Sequence, residues 1–339
     1  MTDLKFFSLL FLMLLFVSCT ESSLLVHDAE PENVCTLKEN ISQISKPVSF
    51  DVMDDGEFVL CDGVNVFLYS TSGEQMHRIG NAGKAKYEYN NPSVVRTYKD
   101  IIYVWSSSTL RFIAYRKDGT PMDEYLYDSA ITDFEVTDDA IIIYTAGRNR
   151  DHIIDVYDKI GRTVIARLGQ SSPEHEVLLH SWAAAPLLKS GSSIYYCSKD
   201  ELRLSRYDIM SGENTEYVSF DSGTFVVNNI PSDSQIARNR QKRTEYLRDN
   251  SQVLSVFQDK KRLFILTLEG QTVVVDGKYD NSGRIFTLYD AETKNPVSRY
   301  SYASIGTQIL IESTCSGIYV IRHSISDDDD VYTLDRLVI

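Results

Sequence analysis

The chain of 339 residues has little positive charge, tryptophan, proline or cysteine. It carries 34 Lys and Arg against 48 Asp and Glu, a formal net charge of −14. Proteins that bind nucleic acids usually present an excess of basic residues, so this composition argues against a nucleic-acid partner. The five cysteines are widely and irregularly spaced, which matches no zinc-binding pattern. In an exported chain Cys35, Cys61, Cys197 and Cys315 either form disulfides or stay as buried free thiols.

The N-terminus lacks an apolar run long enough for a membrane-spanning helix. Its uncharged run from Phe6 to Val17 is shorter than the roughly 20 residues that such a helix needs, and Lys5 precedes it as in a secretory signal. The run ends in Phe-Val-Ser-Cys at 16–19, which resembles a bacterial lipobox although Phe16 replaces the usual Leu. The resemblance implies cleavage before Cys19 and lipidation of its thiol. An ordinary signal peptide with an incidental cysteine is the alternative.

These features predict a signal peptide at 1–18, a tether at 19–31 and one folded domain at 32–339. Several acyl chains on Cys19 would hold the body firmly at a membrane. We expect a bacterial cell-envelope protein, lipid-anchored at the outer membrane, on its periplasmic side or at the surface.

One apolar strand recurs six times along the chain, which has 21 Tyr and 14 Phe and so favours β structure. Its copies are Phe58–Cys61, Ile101–Trp105, Ile141–Tyr144, Ile194–Cys197, Leu263–Leu266 and Ile318–Ile321. A Tyr followed by a Gly turn recurs after four of them, and the first three Tyr lie 46 and 42 residues apart. That period is typical of a four-stranded propeller blade.

The repeats predict an all-β, six-bladed β-propeller. The sixth unit has only three strands left at the C-terminus, so we expect Glu32–Lys38 from the N-terminus to complete that blade and close the ring. A β-sandwich is the alternative, although it would require neither six copies of one strand nor closure by the chain ends.

The boundary after the first unit carries a more specific motif. The run Gly80-Asn81-Ala82-Gly83, followed by Tyr87 and by Pro92-Ser93-Val94-Val95, resembles an NHL blade boundary, where glycines precede an aromatic residue, a proline and an apolar strand. The chain is similar to the NHL/TolB-like six-bladed β-propellers, particularly the lipoprotein propellers of Bacteroides-type bacteria. The resemblance implies the fold over most of 32–339 but no activity, since propellers include enzymes, receptors and scaffolds.

Loop lengths predict which face of the ring is functional. The turns between the first and second strands of a unit, and between the third and fourth, are nearly all tight, and the long segments fall among the other connections. The long segments are Gly80–Asn91, Ala146–Asp151, Gly169–His180, Asp221–Asn250, Glu269–Gly283 and Ser324–Asp330. In a propeller they open on one face, which we call the long-loop face, and the tight turns open on the short-turn face. Long loops in compact domains are often functional, so we expect a binding face, with tolerated surface insertion as the alternative.

The segment Asp221–Asn250, between the fourth and fifth blades, contains a predicted helix, Ile236–Arg248. It is strongly basic, which suits an anionic ligand or partner. The basic residues proposed to bind are Arg238, Arg240, Lys242 and Arg243. The alternative is a lid packed through Ile236, Tyr246 and Leu247, with its charges in solvent or paired locally.

Further candidates lie on or near the long loops. Aromatic and donor groups suit a carbohydrate or a peptide, and His175 with His180 flank one loop. The candidate set is Tyr87, Tyr89, Trp105, Arg148, Arg150, His175 and His180. For Trp105 the alternative is a residue that fills the space between blades. No motif for a catalytic nucleophile or a phosphate-binding loop is present, the acidic run Asp327–Asp330 lacks the spacing of a calcium loop, and no cofactor is indicated.

The leading hypothesis is a lipid-anchored, monomeric, non-catalytic propeller that binds an unknown protein, peptide or glycan through its long-loop face. One alternative is a hydrolase or lactonase with a metal in the central tunnel, which converging carboxylate, Asn or His groups at the tunnel mouth would favour. Another is a structural scaffold of an envelope complex, which predicts an exposed apolar stripe on the Ile236–Arg248 helix.

Overall fold

The computed structural model describes residues 31–146, 150–180, 185–231, 236–276, 278–301, 309–314, 317–326 and 329–337. The predicted signal peptide and Cys19 lie outside these residues, as do Arg148 and Cys315. Within the described residues Cys35, Cys61 and Cys197 are free and buried. No described helix is long and apolar enough to cross a membrane.

Six four-stranded antiparallel sheets form the body, and this confirms the predicted six-bladed propeller. The first strand is β1 (Glu32–Thr36), which belongs to the last blade. Blade one contains β2 (Ser49–Val52), β3 (Phe58–Cys61), β4 (Val66–Tyr69) and β5 (Gln75–Arg78); two short strands, β6 (Asn81–Ala82) and β7 (Glu88–Tyr89), follow it. Blade two contains β8 (Pro92–Tyr98), β9 (Ile101–Ser106), β10 (Arg111–Arg116) and β11 (Pro121–Leu126). Blade three contains β12 (Ile131–Val136), β13 (Ala140–Thr145), β14 (His152–Asp158) and β15 (Thr163–Gln170).

The second half repeats the plan with insertions. Helix α1 (Pro173–Leu178) precedes blade four, which contains β16 (Leu187–Ser190), β17 (Ser193–Cys197), β18 (Arg203–Asp208) and β19 (Asn214–Ser219). A 3₁₀ turn (Ile236–Arg238) and helix α2 (Arg240–Asp249) precede blade five. Blade five contains β20 (Gln252–Asp259), β21 (Arg262–Glu269), β24 (Ile285–Asp290) and β25 (Pro296–Ser301). The hairpin of β22 (Val273–Val275) and β23 (Lys278–Asp280) is inserted between β21 and β24. Blade six contains β26 (Ile309–Thr314), β27 (Gly317–Ser326) and β28 (Asp329–Arg336).

The innermost strand of each blade surrounds a central channel. These inner strands are β2, β8, β12, β16, β20 and β26, and each contacts the inner strands of the two neighbouring blades. The outermost strand of blade six is β1, which pairs antiparallel with β28 from Glu32 opposite Arg336 to Thr36 opposite Thr333. Both ends of the described chain therefore meet in one sheet.

The repeated apolar strand is explained by burial on both of its faces. In β9, Ile102 and Val104 pack towards blade one, whereas Tyr103 and Trp105 pack towards blade three. Six apolar clusters of this kind fill the spaces between neighbouring blades. Because successive side chains of a strand point to opposite faces, a sheet with neighbours on both sides needs an almost continuous apolar run.

The insertion before blade five forms a small lid. Helix α2 is capped by Asn239, whose side chain accepts a hydrogen bond from the Lys242 amide at 3.1 Å. Tyr246 of α2 packs with Val177 and Leu178 of α1, and Ile236 and Leu247 pack against the same cluster. The helix thus packs through the three residues that the lid alternative named. The scaffold hypothesis required an exposed apolar stripe on this helix, and these apolar side chains are turned inward instead.

Candidate binding sites on the two faces of the ring

A cavity of about 400 Å³ opens on the long-loop face beside blade three. It is lined by Ser129, Ala130, Ile131, Thr132, Ala146, Arg150, Leu179 and His180. All of them belong to connections between blades, to the start of β12 or to the loop between β13 and β14. The cavity brings together two of the residues that the sequence proposed, Arg150 and His180.

Arg150 is held at this cavity by a buried carboxylate. Its Nη1 donates to Asp155 Oδ2 at 2.8 Å, and Asp155 is fully buried on β14. The Tyr127 hydroxyl donates to the same oxygen at 2.5 Å. The second contact of Arg150, from Nη2 to Asp128 at 3.3 Å, is with a carboxylate whose side chain is 88% exposed. One half of the guanidinium is therefore fixed, and the other half faces an exchangeable partner.

His175 is a structural residue, which corrects its proposed role as a ligand-binding group. It lies in α1, where the sequence suggested a loop, and it is fully buried. Its Nδ1 accepts a hydrogen bond from the Lys199 amide at 3.0 Å and lies 2.9 Å from Ser198 Oγ. Burial, with Lys199 nearby, lowers the pKa of His175 to about 3, so the ring is neutral. The Ser198 hydroxyl also contacts Asp200, which accepts from the helix cap Ser172 at 2.5 Å.

Two of the three proposed aromatic residues belong to the core, which corrects their assignment to a ligand surface. Tyr89 is fully buried, and its hydroxyl donates to the Ile79 carbonyl at 2.9 Å. Trp105 is 1% exposed, with its ring 4.5 Å from that of Phe112. Both fill space between blades. Tyr87 is partly exposed, and the Lys86 ammonium lies 4.5 Å from its ring centroid.

The basic residues of the lid divide into two groups. Arg238, Arg240 and Lys242 are exposed, and none forms an ion pair with another residue in the described part of the chain. Arg243 is half-buried and donates to the Ala237 carbonyl at 2.8 Å, so it stabilises the turn that begins the lid. The first three are exposed cations on the insertion between blades four and five.

A buried charged group that the sequence did not reveal fills the central channel. Arg96 of β8 lies 2.5 Å from Asp133 of β12 and 2.8 Å from Glu312 of β26, and all three are less than a tenth exposed. Arg96 Nη1 also donates to the Phe50 carbonyl at 3.3 Å. The guanidinium therefore connects four blades across the channel. Burial lowers the pKa of nearby Lys199 to about 7, against the opposing effect of the Asp133 and Glu312 carboxylates.

The channel widens into a second cavity on the short-turn face. This cavity of about 610 Å³ is lined by the ends of five inner strands and the turns that follow them. Glu135 of β12 is partly buried in its wall. The pKa of Glu135 is raised to about 8, because burial disfavours the carboxylate and because Asp51 and Asp133 oppose another negative charge, although Arg96 and Lys189 favour it. Among the described residues no group of three or more His, Cys, Asp or Glu side chains is arranged to hold a metal ion.

The sequence did contain a signal for this second site. Arg96 lies in β8, Asp133 and Glu135 lie in β12, and Glu312 lies in β26, so each is a charged residue within the inner strand of its blade. Charged residues inside strands at the centre of a ring have to face the channel or each other, since burial without a partner is costly. Loop lengths, from which the binding face was predicted, contain no information on charged residues of the inner strands.

Known structures share the fold with this chain. A Bacteroides fragilis protein named for its predicted export matches with a TM-score of 0.63 and 14% identity, over 93% of this chain and 97% of its own. A member of the DUF4221 family from Bacteroides vulgatus matches with a TM-score of 0.61 and 9% identity, over 91% of this chain and 99% of its own. No protein-family model matches the chain, and no curated protein matches its sequence significantly. The chain is thus similar in fold to these two Bacteroides proteins.

Proposed function

We propose that this protein is a non-catalytic binding protein of the bacterial cell envelope, anchored through a lipid on Cys19, which recognises anionic groups of a ligand or protein partner with its long-loop face. The observation that carries the proposal is the Arg150 cavity on that face, with the basic lid seated on the neighbouring helix α1. The signal sequence and the lipobox-like residues support the location. So does the fold of the B. fragilis protein named for its predicted export.

Arg150 has the geometry of an anion receptor. Asp155 holds its Nη1 in place, so little side-chain entropy remains to be lost when Nη2 binds a ligand. The present partner of Nη2, Asp128, is almost fully exposed, and exposed ion pairs contribute about 0–1 kcal/mol. A carboxylate or phosphate of the ligand would replace Asp128 at low cost and form the planar contact that guanidinium groups favour.

The lid adds positive charge to the same face. Helix α2 packs on α1, and the chain after α1 continues directly into Leu179 and His180 at the cavity wall. Arg238, Arg240 and Lys242 are therefore free to meet a partner that is larger than the cavity. On a protein with a net charge of −14, these exposed cations favour the orientation in which the inserted segment meets an anionic partner.

Chemical cross-linking on intact cells tests the binding face. We expect the cross-linked partners of the wild-type protein to be lost in Arg238→Glu/Arg240→Glu/Lys242→Glu and in Arg150→Gln. The matched control is Lys260→Glu/Lys261→Glu, which reverses two exposed charges at a short turn of blade five and should retain them. Identical partners in all the variants would contradict the proposal. Cys19→Ser should move the protein from the membrane to the soluble fraction.

A further inference from the structure

The cavity on the short-turn face lies opposite the proposed binding face and is independent of it. Its wall consists of Asp51, Thr97, Tyr98, Glu135, Lys189 and Gln258, which come from the inner strands or first turns of five blades. The buried group of Arg96, Asp133 and Glu312 lies within the same ring of inner strands. At about 610 Å³ the cavity falls within the roughly 300–1,000 Å³ of small-molecule sites.

The wall carries more negative than positive groups. At the rim, Asp55 and Asp100 are paired with Lys117, at 2.5 and 3.1 Å, and Lys99 is paired with Asp138 outside the cavity, at 2.6 Å. Besides these pairs, the wall contains the carboxyl groups of Asp51, Asp54 and Glu135 and the ammonium group of Lys189. Arg96, the other cation facing Glu135, is already shared between Asp133 and Glu312.

Glu135 has less hydrogen-bond support from the protein than Asp51. It accepts no hydrogen bond from any residue in the described part of the chain, whereas Asp51 Oδ2 accepts from both the amide and the hydroxyl of Thr97, at 2.6 and 2.7 Å. The groups that face Glu135 are Arg96, Asp51, Asp133 and Lys189. The pKa values of Glu135 and Asp51 are both raised, mainly by burial, so the wall disfavours its own negative charge. A bound cation would relieve this cost.

We propose that this cavity binds a small organic cation through a primary ammonium group that donates hydrogen bonds to Glu135 and Asp51. An ammonium donor fits better than a quaternary cation, because quaternary groups need free aromatic faces and the Lys189 ammonium already lies 3.9 Å from the Tyr98 ring centroid. A divalent metal fits less well, since the described residues supply no cluster of three or more suitable ligands. Gln258, which accepts from Ser190 at 2.5 Å, lines the same wall and offers an amide to a polar ligand tail.

Titration calorimetry with 1,4-diaminobutane, 1,5-diaminopentane and the uncharged 1,4-butanediol tests this site. We expect both diamines to bind the wild-type protein and the diol not to bind. Because the ammonium group binds the ionised form of Glu135, diamine binding at pH 7 should release a proton from this carboxyl group. The measured binding enthalpy should therefore depend on the ionisation enthalpy of the buffer that takes up the proton. The affinity should rise about tenfold per pH unit up to about pH 8.

Two variants and a control locate the binding. Glu135→Gln and Asp51→Asn should each weaken diamine binding at least tenfold, and Glu135→Gln should abolish the proton release. The matched control is Glu213→Gln, an exposed residue in a short turn of blade four on the same face, which should bind as the wild type does. The proposal would be overturned if the diamines did not bind, if the diol bound equally well, or if Glu135→Gln had the affinity of the wild type. It would also be overturned if Ca²⁺, and not the diamines, stabilised the protein.

Discussion

Arg96 joins four of the six blades from one buried position. It projects from blade two, donates to a backbone carbonyl of blade one, and pairs with Asp133 of blade three and Glu312 of blade six. A buried ion group of this kind adds little net stability compared with an apolar core, because desolvation of the charges offsets their attraction. Removing one member of the group costs much more stability, since its partners are then left buried without a counter-charge.

Arg96→Met should therefore lower the free energy of unfolding by about 3–5 kcal/mol. The comparison is Arg203→Met, which breaks only exposed contacts with Glu201 and Glu216 and should cost about 1 kcal/mol or less. Urea denaturation followed by tryptophan fluorescence measures both. Adding Asp133→Asn and Glu312→Gln to Arg96→Met should recover part of the loss, because neutral side chains no longer leave charges unpaired. Equal losses in the two single variants would show that the charge group is not required.

Glu135 should make the stability of the protein depend on pH. Its pKa is about 4.5 when unfolded and about 8 when folded, so between these values the folded state keeps a proton that the unfolded state releases. Stability should consequently fall as the pH rises from about 4.5 to about 8, with no further loss from this group above that. The lowered pKa of Lys199 acts in the opposite direction above pH 7, so variants must be compared with the wild type at each pH.

Glu135→Gln should remove the part of the pH dependence of stability that Glu135 causes. Urea denaturation at pH 5, 7 and 9 should show the variant close to the wild type at the lowest pH and more stable than it at the highest. Glu213→Gln, whose carboxylate is exposed, should follow the wild type throughout. A constant difference between Glu135→Gln and wild type across the three pH values would contradict the assigned protonation.

The strands were predicted well from the sequence, because burial dictates their residue pattern. A strand such as β9 lies between two other sheets, so its apolar run and its repeat are visible in the chain itself. The predicted helix Ile236–Arg248 is likewise found, as the 3₁₀ turn and α2, with the break at Asn239, whose side chain caps α2. Residue type and spacing are enough to predict such elements.

Side-chain roles were harder to predict, because a loop and a strand end can carry the same residues. Tyr89 and Trp105 were assigned to a ligand surface from their places near long loops, yet each is buried against a neighbouring blade. His175 was placed in a loop, but the cap at Ser172 and Pro173 at the first helical position start a helix there and bury the ring. Whether such a side chain faces solvent or a neighbouring blade depends on where that blade lies, and a single sequence does not contain this spatial information.

Strands from opposite ends of the described chain meet in blade six. The pairing of β1 with β28 is reinforced by Asn33, whose side-chain amide donates to Asp335 Oδ1 at 2.8 Å, and by the ion pair between Asp335 and Arg322. Cys35 and Leu37 add apolar side chains to the cluster between blades six and one. The β1 strand therefore links blades six and one through shared contacts, and it covers an edge of β28 that would otherwise be open to other chains.

Deleting residues 32–37 should open the ring and expose that edge. The loss of two buried apolar side chains alone should lower the free energy of unfolding by about 3 kcal/mol, and the bare edge of β28 should promote self-association. Thermal unfolding and size-exclusion chromatography at several concentrations measure the two effects separately. The control deletes residues 20–30 of the predicted tether, which should change neither. A monomer of wild-type stability after deletion of 32–37 would mean that three strands suffice for blade six and that β1 is only an appendage to the ring.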